Sequence, residues 1–239
     1  MINIHTMKQL YEAAFYRLPS LIESITEIAR CIWQNGWAEA NAGNMSFDIT
    51  TQLHELYLVK ETDLTRYYLV SRTGSRYRQY AKDLMNSFVL VAVEKDGLES
   101  TQTIYPVESK PTSEWQTHRR IQEYFQTYKP DYKCIIHVHP AEIIALSQLP
   151  AYNDPVSLNQ RLMSILPETK YYLPTGVAMA RFAETGTTEL AEASMAALAA
   201  QNALIWQGHG LMAFGKDPDE AFDYLEIVNK AAKLWFLLN

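Results

Sequence analysis

Ala-Leu-Ile-Trp-Gln-Gly-His-Gly-Leu-Met-Ala-Phe-Gly, residues 203–215, is two short apolar runs pinched around one histidine. Residues 203–206 and 211–214 have the length and content of buried strands, and Gln207-Gly208-His209-Gly210 joins them. His209 therefore occupies a tight corner between two glycines. Their missing side chains let the backbone bend and let a bulky partner approach.

A second histidine pair lies upstream, in Cys-Ile-Ile-His-Val-His-Pro at 134–140. Side chains on a strand alternate faces with period two. His137 and His139 thus point to one side, while Ile136 and Val138 point to the other. Two neutral imidazoles one strand repeat apart can share a cation, and zinc takes histidine nitrogens at about 2.0–2.1 Å. With His209 added, the set matches an open three-histidine site that leaves places for a substrate. His5, His54 and His118 lie at a terminus, in a polar segment and on a helix, and read as surface residues.

Outward from these stretches, strand-like runs occupy 44–49, 66–70, 88–94 and 171–173, and Asp96-Gly97 is a hairpin signal. Ser20 and Glu23 have capping-box spacing. They precede an apolar stripe of Leu21, Ile25, Ile28, Ala29 and Ile32 that ends at Gly36. A second helix starts in Pro111-Thr112-Ser113-Glu114 and runs to about Tyr128, and Pro140 opens a short one reaching about Gln148. Residues 187–201 are the most helix-prone stretch, and Asp217-Pro218 starts a terminal helix. Hairpins mixed with helices predict an α/β layered fold: a largely antiparallel central sheet covered by helices on both faces. At 239 residues, one domain over 1–239 can bury a single core.

A net charge of −6 argues against nucleic acid as the partner, since phosphate neutralisation needs clustered Lys and Arg. No run of 18 apolar residues is present, so no membrane span is expected. No basic flank precedes an apolar segment at the start, so no signal peptide is read and the expected compartment is the cytoplasm. Cys31 and Cys134 read as packed free thiols. Phosphate-binding fingerprints of the dinucleotide and Walker types are absent.

Three polar features remain. Glu114, in the first turn of its helix, is the candidate general base; the helix dipole favours its ionised form, whereas apolar burial would raise its pKa. Asn41-Ala42-Gly43-Asn44 before a strand, and Ser71 to Ser75 after one, are loops that can wrap a phosphate with backbone N–H groups, amides and hydroxyls, or be simple polar turns. Arg72, Arg76 and Arg78 can add attraction for a dianion or form a solvated face.

The runs NAGNMS (41–46), RTGSRYR (72–78), PTSEWQTH (111–118), IIHVHP (135–140), YLPTGVA (172–178) and ALIWQGHGLMAFG (203–215) occur in an order that resembles the class II aldolase/adducin-type family. The resemblance runs from about residue 20 to the end. It implies that His137, His139 and His209 ligate one Zn²⁺ and that Glu114 is the catalytic acid/base. Asn41, Gly43, Asn44, Thr73, Gly74 and Ser75 would bind the phosphate of a phosphorylated ketose. It further implies a homotetramer with sites near subunit boundaries, where Glu168 corresponds to a second acidic residue supplied from a neighbouring copy. Ala42 stands where the resemblance leads one to expect glycine, and the chain stops at Asn239, short of an expected C-terminal extension. Two other activities sit on the same implied scaffold, a sugar-phosphate 4-epimerase and a metal-dependent dehydratase. A non-catalytic adducin-like interaction module is the alternative from another class.

Overall fold

Strands β1 (Asn44–Asp48), β2 (Arg66–Ser71), β3 (Phe88–Asp96), β4 (Glu99–Tyr105), β5 (Cys134–Val138), β6 (Ala178–Ala180), β7 (Ala203–Trp206) and β8 (Gly210–Gly215) form one sheet. Their order is β4-β3-β2-β1-β5-β8-β7-β6 in the computed structural model of the chain, which describes residues 2–96 and 99–239. Every neighbouring pair is antiparallel except β6 and β7. The largely antiparallel sheet expected from the sequence is therefore present.

Among the described residues α-helices flank it: α1 (Ile4–Arg17), α2 (Pro19–Gln34), α3 (Thr50–Glu55), α4 (Tyr77–Asp83), α5 (Trp115–Tyr128), α6 (Ala141–Gln148), α7 (Pro155–Ile165), α8 (Glu168–Tyr172), α9 (Thr188–Ala197) and α10 (Pro218–Leu238). Period-two alternation sorts the strand residues between two layers. Met45, Phe47, Ile136, Val138, Leu211 and Ala213 join one core with α1, α2, α4, α6, α7 and α10. Ile135, Leu204, Trp206, Met212 and Phe214 join the other with Ile121 and Phe125 of α5 and Leu190 of α9. Because both faces are covered, the central strands are apolar on both sides. His137, Asn44 and Ser46 take the parity of the α5 face, which puts the polar residues of β1 and β5 on one side of the sheet.

Several local expectations change. Helix α2 starts at Pro19, with Leu18 at its N-cap and no capping side chain, so Ser20 and Glu23 form no capping box. The fixed φ of proline in the first turn starts the helix instead. Its other end is as expected: Gly36 has φ of 71°. The Gly36 N–H donates to Trp33 O and the Trp37 N–H to Ile32 O, both at 3.1 Å, a Schellman closure. Helix α1 is absent from the sequence reading; Asn3 caps it by accepting from the Thr6 N–H at 2.8 Å. The 171–173 strand is overturned, because those residues lie in and just after α8. Strand propensity expresses itself only against a partner strand, whereas here Thr169 and Lys170 donate back to Leu166 and Pro167 in a helical turn.

The second expected helix begins at Trp115 rather than Pro111, with Glu114 at its N-cap. Pro111 instead bridges Arg72, and Thr112 N–H donates to Ser71 O at 2.7 Å. The Asp96-Gly97 turn falls partly outside the described residues, but the strands flanking it pair as an antiparallel ladder. His118, read as a surface residue, is fully buried. Both cysteines are free, Cys134 buried and Cys31 partly so. Among the described residues no helix is long and apolar enough to cross a membrane.

Candidate active site

Three elements deliver the histidines to one point. His137 lies within β5, between Met212 of β8 and Asn44 of β1 in the ladder. His139 follows the end of β5, its N–H donating to Trp37 O at 2.8 Å. His209 occupies the β7–β8 corner, which closes by donation of its N–H to Trp206 O at 2.9 Å. Gly208 adopts φ of 70°, and a Cβ on Gly210 would lie 2.6 Å from Val138 O and 2.7 Å from His137 Cε1. The first glycine serves conformation and the second serves close approach.

His137 Nε2 and His139 Nε2 are 3.1 Å apart, and one ligand nitrogen from each of the three histidines falls within 4.8 Å of the others. The neighbours of the two Nδ1 atoms fix the tautomers. His137 Nδ1 donates to the Leu211 carbonyl at 3.1 Å, and His139 Nδ1 donates to Glu39 Oε1 at 2.9 Å. With Nδ1 engaged on each ring, the two Nε2 atoms face one another and are placed to share a cation. Two nitrogens on one tetrahedral zinc stand ~3.3 Å apart. The donor set therefore fits a divalent cation. Trp206 stacks on His209 at 5.0 Å and 21° and packs 4.5 Å from His137, walling off the inner side.

Glu114 reaches this group from α5. Its Oε2 accepts from Asn44 Nδ2 at 2.6 Å and lies 3.8 Å from His137 Nε2; its Oε1 lies 3.7 Å from His209 Nε2. Burial raises the Glu114 carboxyl above its ordinary range, against the opposing pull of the Asn44 hydrogen bond and His139. Of the two influences expected on it, burial outweighs the helix N-terminus. Burial likewise pushes the His137 imidazole well below its usual value, with His139 and His209 adding to the effect, and lowers His209 to about 4. For Glu39, burial acts upward, but the hydrogen bond from His139 and further favourable contacts leave the carboxyl below its ordinary value.

A pocket of about 190 Å³ opens beside these groups. All six expected phosphate residues, Asn41, Gly43, Asn44, Thr73, Gly74 and Ser75, line it together with Glu114, His139 and His209. Three of the six already have side-chain partners: the Asn44 amide holds Glu114, the Ser75 hydroxyl bonds with Tyr80, and the Thr73 hydroxyl donates to Pro111 O. Gly43, at φ of 74°, admits no side chain, since a Cβ would meet His137 O at 2.7 Å. Of the three arginines only Arg72 lines the pocket, while Arg78 lies over the Trp33 ring. Glu168 is exposed in the first turn of α8 and is not among the lining residues. Sequence reading missed Glu39, Trp206, Thr112, Ser113 and Thr185. Only Thr112 and Ser113, adjacent to Glu114, carried a positional signal.

Residues 23–236 match the family model described as Class II Aldolase and Adducin N-terminal domain. The chain belongs to this family. Among its relatives, it is 28% identical to "Rhamnulose-1-phosphate aldolase" of Bacteroides thetaiotaomicron, over 90% of this chain and 84% of that protein. The protein of the same name from Listeria welshimeri is 29% identical, over 96% and 85%. Among solved structures, a sugar-phosphate aldolase from Thermotoga maritima matches with a TM-score of 0.77 and 29% identity, covering 93% of this chain and 96% of that one. L-fuculose-1-phosphate aldolase from Thermus thermophilus shares the fold, with a TM-score of 0.60 and 20% identity over 91% and 93% of the two chains.

The buried imidazoles of this class II aldolase family member make its metal-free stability depend on pH. Burial lowers His118 to about 3, and His137 and His209 are lowered as above. The unfolded chain takes up these protons near pH 6.5 and the folded chain does not, so stability is full above that pH and is lost as pH falls. For His118 alone the loss is about 2–3 kcal/mol by pH 4.5. Glu114, shifted upward, acts in the opposite sense, one group against three. Urea midpoints of metal-free protein should therefore drop clearly between pH 7.5 and 4.5; equal midpoints would contradict neutral buried imidazoles.

Proposed function

We propose that this chain is a zinc-dependent aldolase that cleaves L-rhamnulose 1-phosphate into dihydroxyacetone phosphate and L-lactaldehyde. The observation that carries the reading is the placement of the buried Glu114 carboxylate 3.7–3.8 Å from His209 and His137, in the wall of a pocket lined also by the two phosphate-type loops. The relatives named above support the choice of sugar.

His137, His139 and His209 would hold the cation. When bound, it supplies Lewis-acid polarisation of a ketose carbonyl and its adjacent hydroxyl. The protein's own groups do the rest. Glu114 gives or takes the proton at the dihydroxyacetone phosphate carbon. Asn44 fixes the carboxylate by its amide. Asn41, Gly43 and Gly74 cradle the phosphate, with Thr73, tied to Lys110 O and Pro111 O, fixing the second loop and Arg72 supplying positive charge, so the reacting carbon is held against Glu114. The enzyme would act in the cytoplasm as a homotetramer, with Glu168 reaching the site from a neighbouring copy.

The test is release of dihydroxyacetone phosphate from L-rhamnulose 1-phosphate and L-fuculose 1-phosphate, and of glycolaldehyde phosphate from L-ribulose 5-phosphate, with and without chelator. Expected is a kcat/KM for the rhamnulose ester at least about tenfold above the others, abolished by chelator and restored by Zn²⁺. Cleavage of none of the three would end the aldolase reading; preference for another ester would end only the choice of sugar.

Glu39 gives a separate prediction. Its acceptance from His139 Nδ1 is the partner that orients a ligating imidazole, and loss of such a partner weakens metal binding about 10–100-fold. Glu39→Ala should show that loss in competition with a chromophoric chelator, with Glu39→Gln retaining most of the affinity. Unchanged affinity in Glu39→Ala would show that the contact does not orient His139.

A further inference from the structure

Four residues beyond Glu114 on the same helix is a titratable side chain for which the chemistry above has no use. His118 is fully buried. Its Nδ1 lies 2.9 Å from Ser46 Oγ, and its Nε2 has no hydrogen-bond partner among the described residues. Ser46 also accepts from Gln122 Nε2 at 3.3 Å. It is two residues along β1 from Asn44, the residue that holds Glu114.

The spacing is a match between two periods. A strand returns to the same face every ~6.7 Å, and four residues of helix advance ~6.0 Å. Asn44 therefore meets Glu114 at one step of the α5–β1 contact, and Ser46 meets His118 at the next. Strand β1 also carries the other side of the site. Asn44 is the ladder partner of His137, and the Tyr77 hydroxyl is shared between the carbonyl oxygens of these two residues at 3.0 Å each. The separation between Glu114 and the imidazoles is thus set by how α5 is registered on β1.

Packing does not explain a histidine at this contact. A buried imidazole with one nitrogen unpartnered is destabilising, and an apolar side chain of similar size would make a better helix–sheet contact. We infer that His118 and Ser46 are a positioning pair that fixes the first turn of α5 against β1 and so fixes Glu114 over the three histidines. The inference rests on the aldolase reading for what Glu114 does, but not for where Glu114 is held.

The experiment combines crystal structures and kinetics of His118→Leu, Ser46→Ala and the double variant. In His118→Leu the Glu114 carboxylate should leave its 3.8 and 3.7 Å contacts with His137 and His209, while zinc affinity holds and the melting temperature stays level or rises. Its kcat for L-rhamnulose 1-phosphate should fall about ten- to a hundredfold, with KM within about twofold. Ser46→Ala should behave alike, and the double variant no worse than the worse single, as for two residues of one unit. His118→Asn, which can again bond to Ser46, should recover most of kcat. A structure of His118→Leu with Glu114 unmoved would overturn the inference, as would a kcat loss that follows losses of zinc and thermal stability. Should the wild type cleave no ketose phosphate, the aldolase reading falls, and the Glu114 position in that structure decides the inference alone.

Discussion

Glu114→Gln is expected to keep its full complement of zinc and to lose at least about a hundredfold in turnover. The substitution preserves shape, and the new amide can still present an oxygen to Asn44 Nδ2, the group that holds the carboxylate at 2.6 Å. What it removes is the capacity to carry a proton. Glu114 contacts two of the imidazoles at 3.7–3.8 Å without being one of the three ligands, so the metal should remain. Nor should folding suffer, because removing a buried carboxylate also removes its desolvation cost. Metal content by atomic absorption and kcat in the cleavage assay check the two halves separately. A second readout isolates the proton step: exchange of a dihydroxyacetone phosphate proton with deuterated solvent should stop in the variant. Undiminished exchange and turnover would take Glu114 out of the chemistry.

What the sequence disclosed about this site was its short-range part. Alternation in Ile136-His137-Val138-His139 follows from strand geometry alone, and the structure keeps it, with Ile136 and Val138 in one core and the imidazoles on the other side. Gly208 and Gly210 announced a corner, and both prove necessary there. The partners of these residues were not legible, because they come from elsewhere in the chain. Glu39 is 100 positions from His139, and nothing in its loop distinguishes it from any surface carboxylate.

Misreadings have the same origin. Tyr171-Tyr172-Leu173 has strand composition, but the sheet ends at β6 and offers those residues no neighbour. His118 looked like a surface residue because a polar side chain on an amphipathic helix normally faces water. Its true position follows from Ser46 and Gln122, a contact that depends on the registration of α5 upon β1. The fold itself was readable from hairpin signals and helix caps. The registration between layers, on which the approach of Glu114 to His137 and His209 depends, was not.

His139→Ala should release the metal and, with it, activity. His139 is a better choice than His137 for this test. His137 is fully buried against Trp206, and its truncation would open a cavity in the core, so that metal loss and unfolding would be confounded. The His139 side chain is 16% exposed at the end of β5, and its backbone remains anchored through the Trp37 carbonyl. The fall in zinc affinity should exceed that of Glu39→Ala, which disturbs only the orientation of the ring and is limited to about 10–100-fold. The order of the two effects is therefore diagnostic: removing a ligand must cost more than removing the group that aims it. Thermal unfolding of the metal-free variant should resemble that of metal-free wild type, since no core contact is lost. If His139→Ala held zinc as tightly as Glu39→Ala and still cleaved its substrate, the approach of the two Nε2 atoms of His137 and His139 to 3.1 Å would need an explanation other than a shared metal ion.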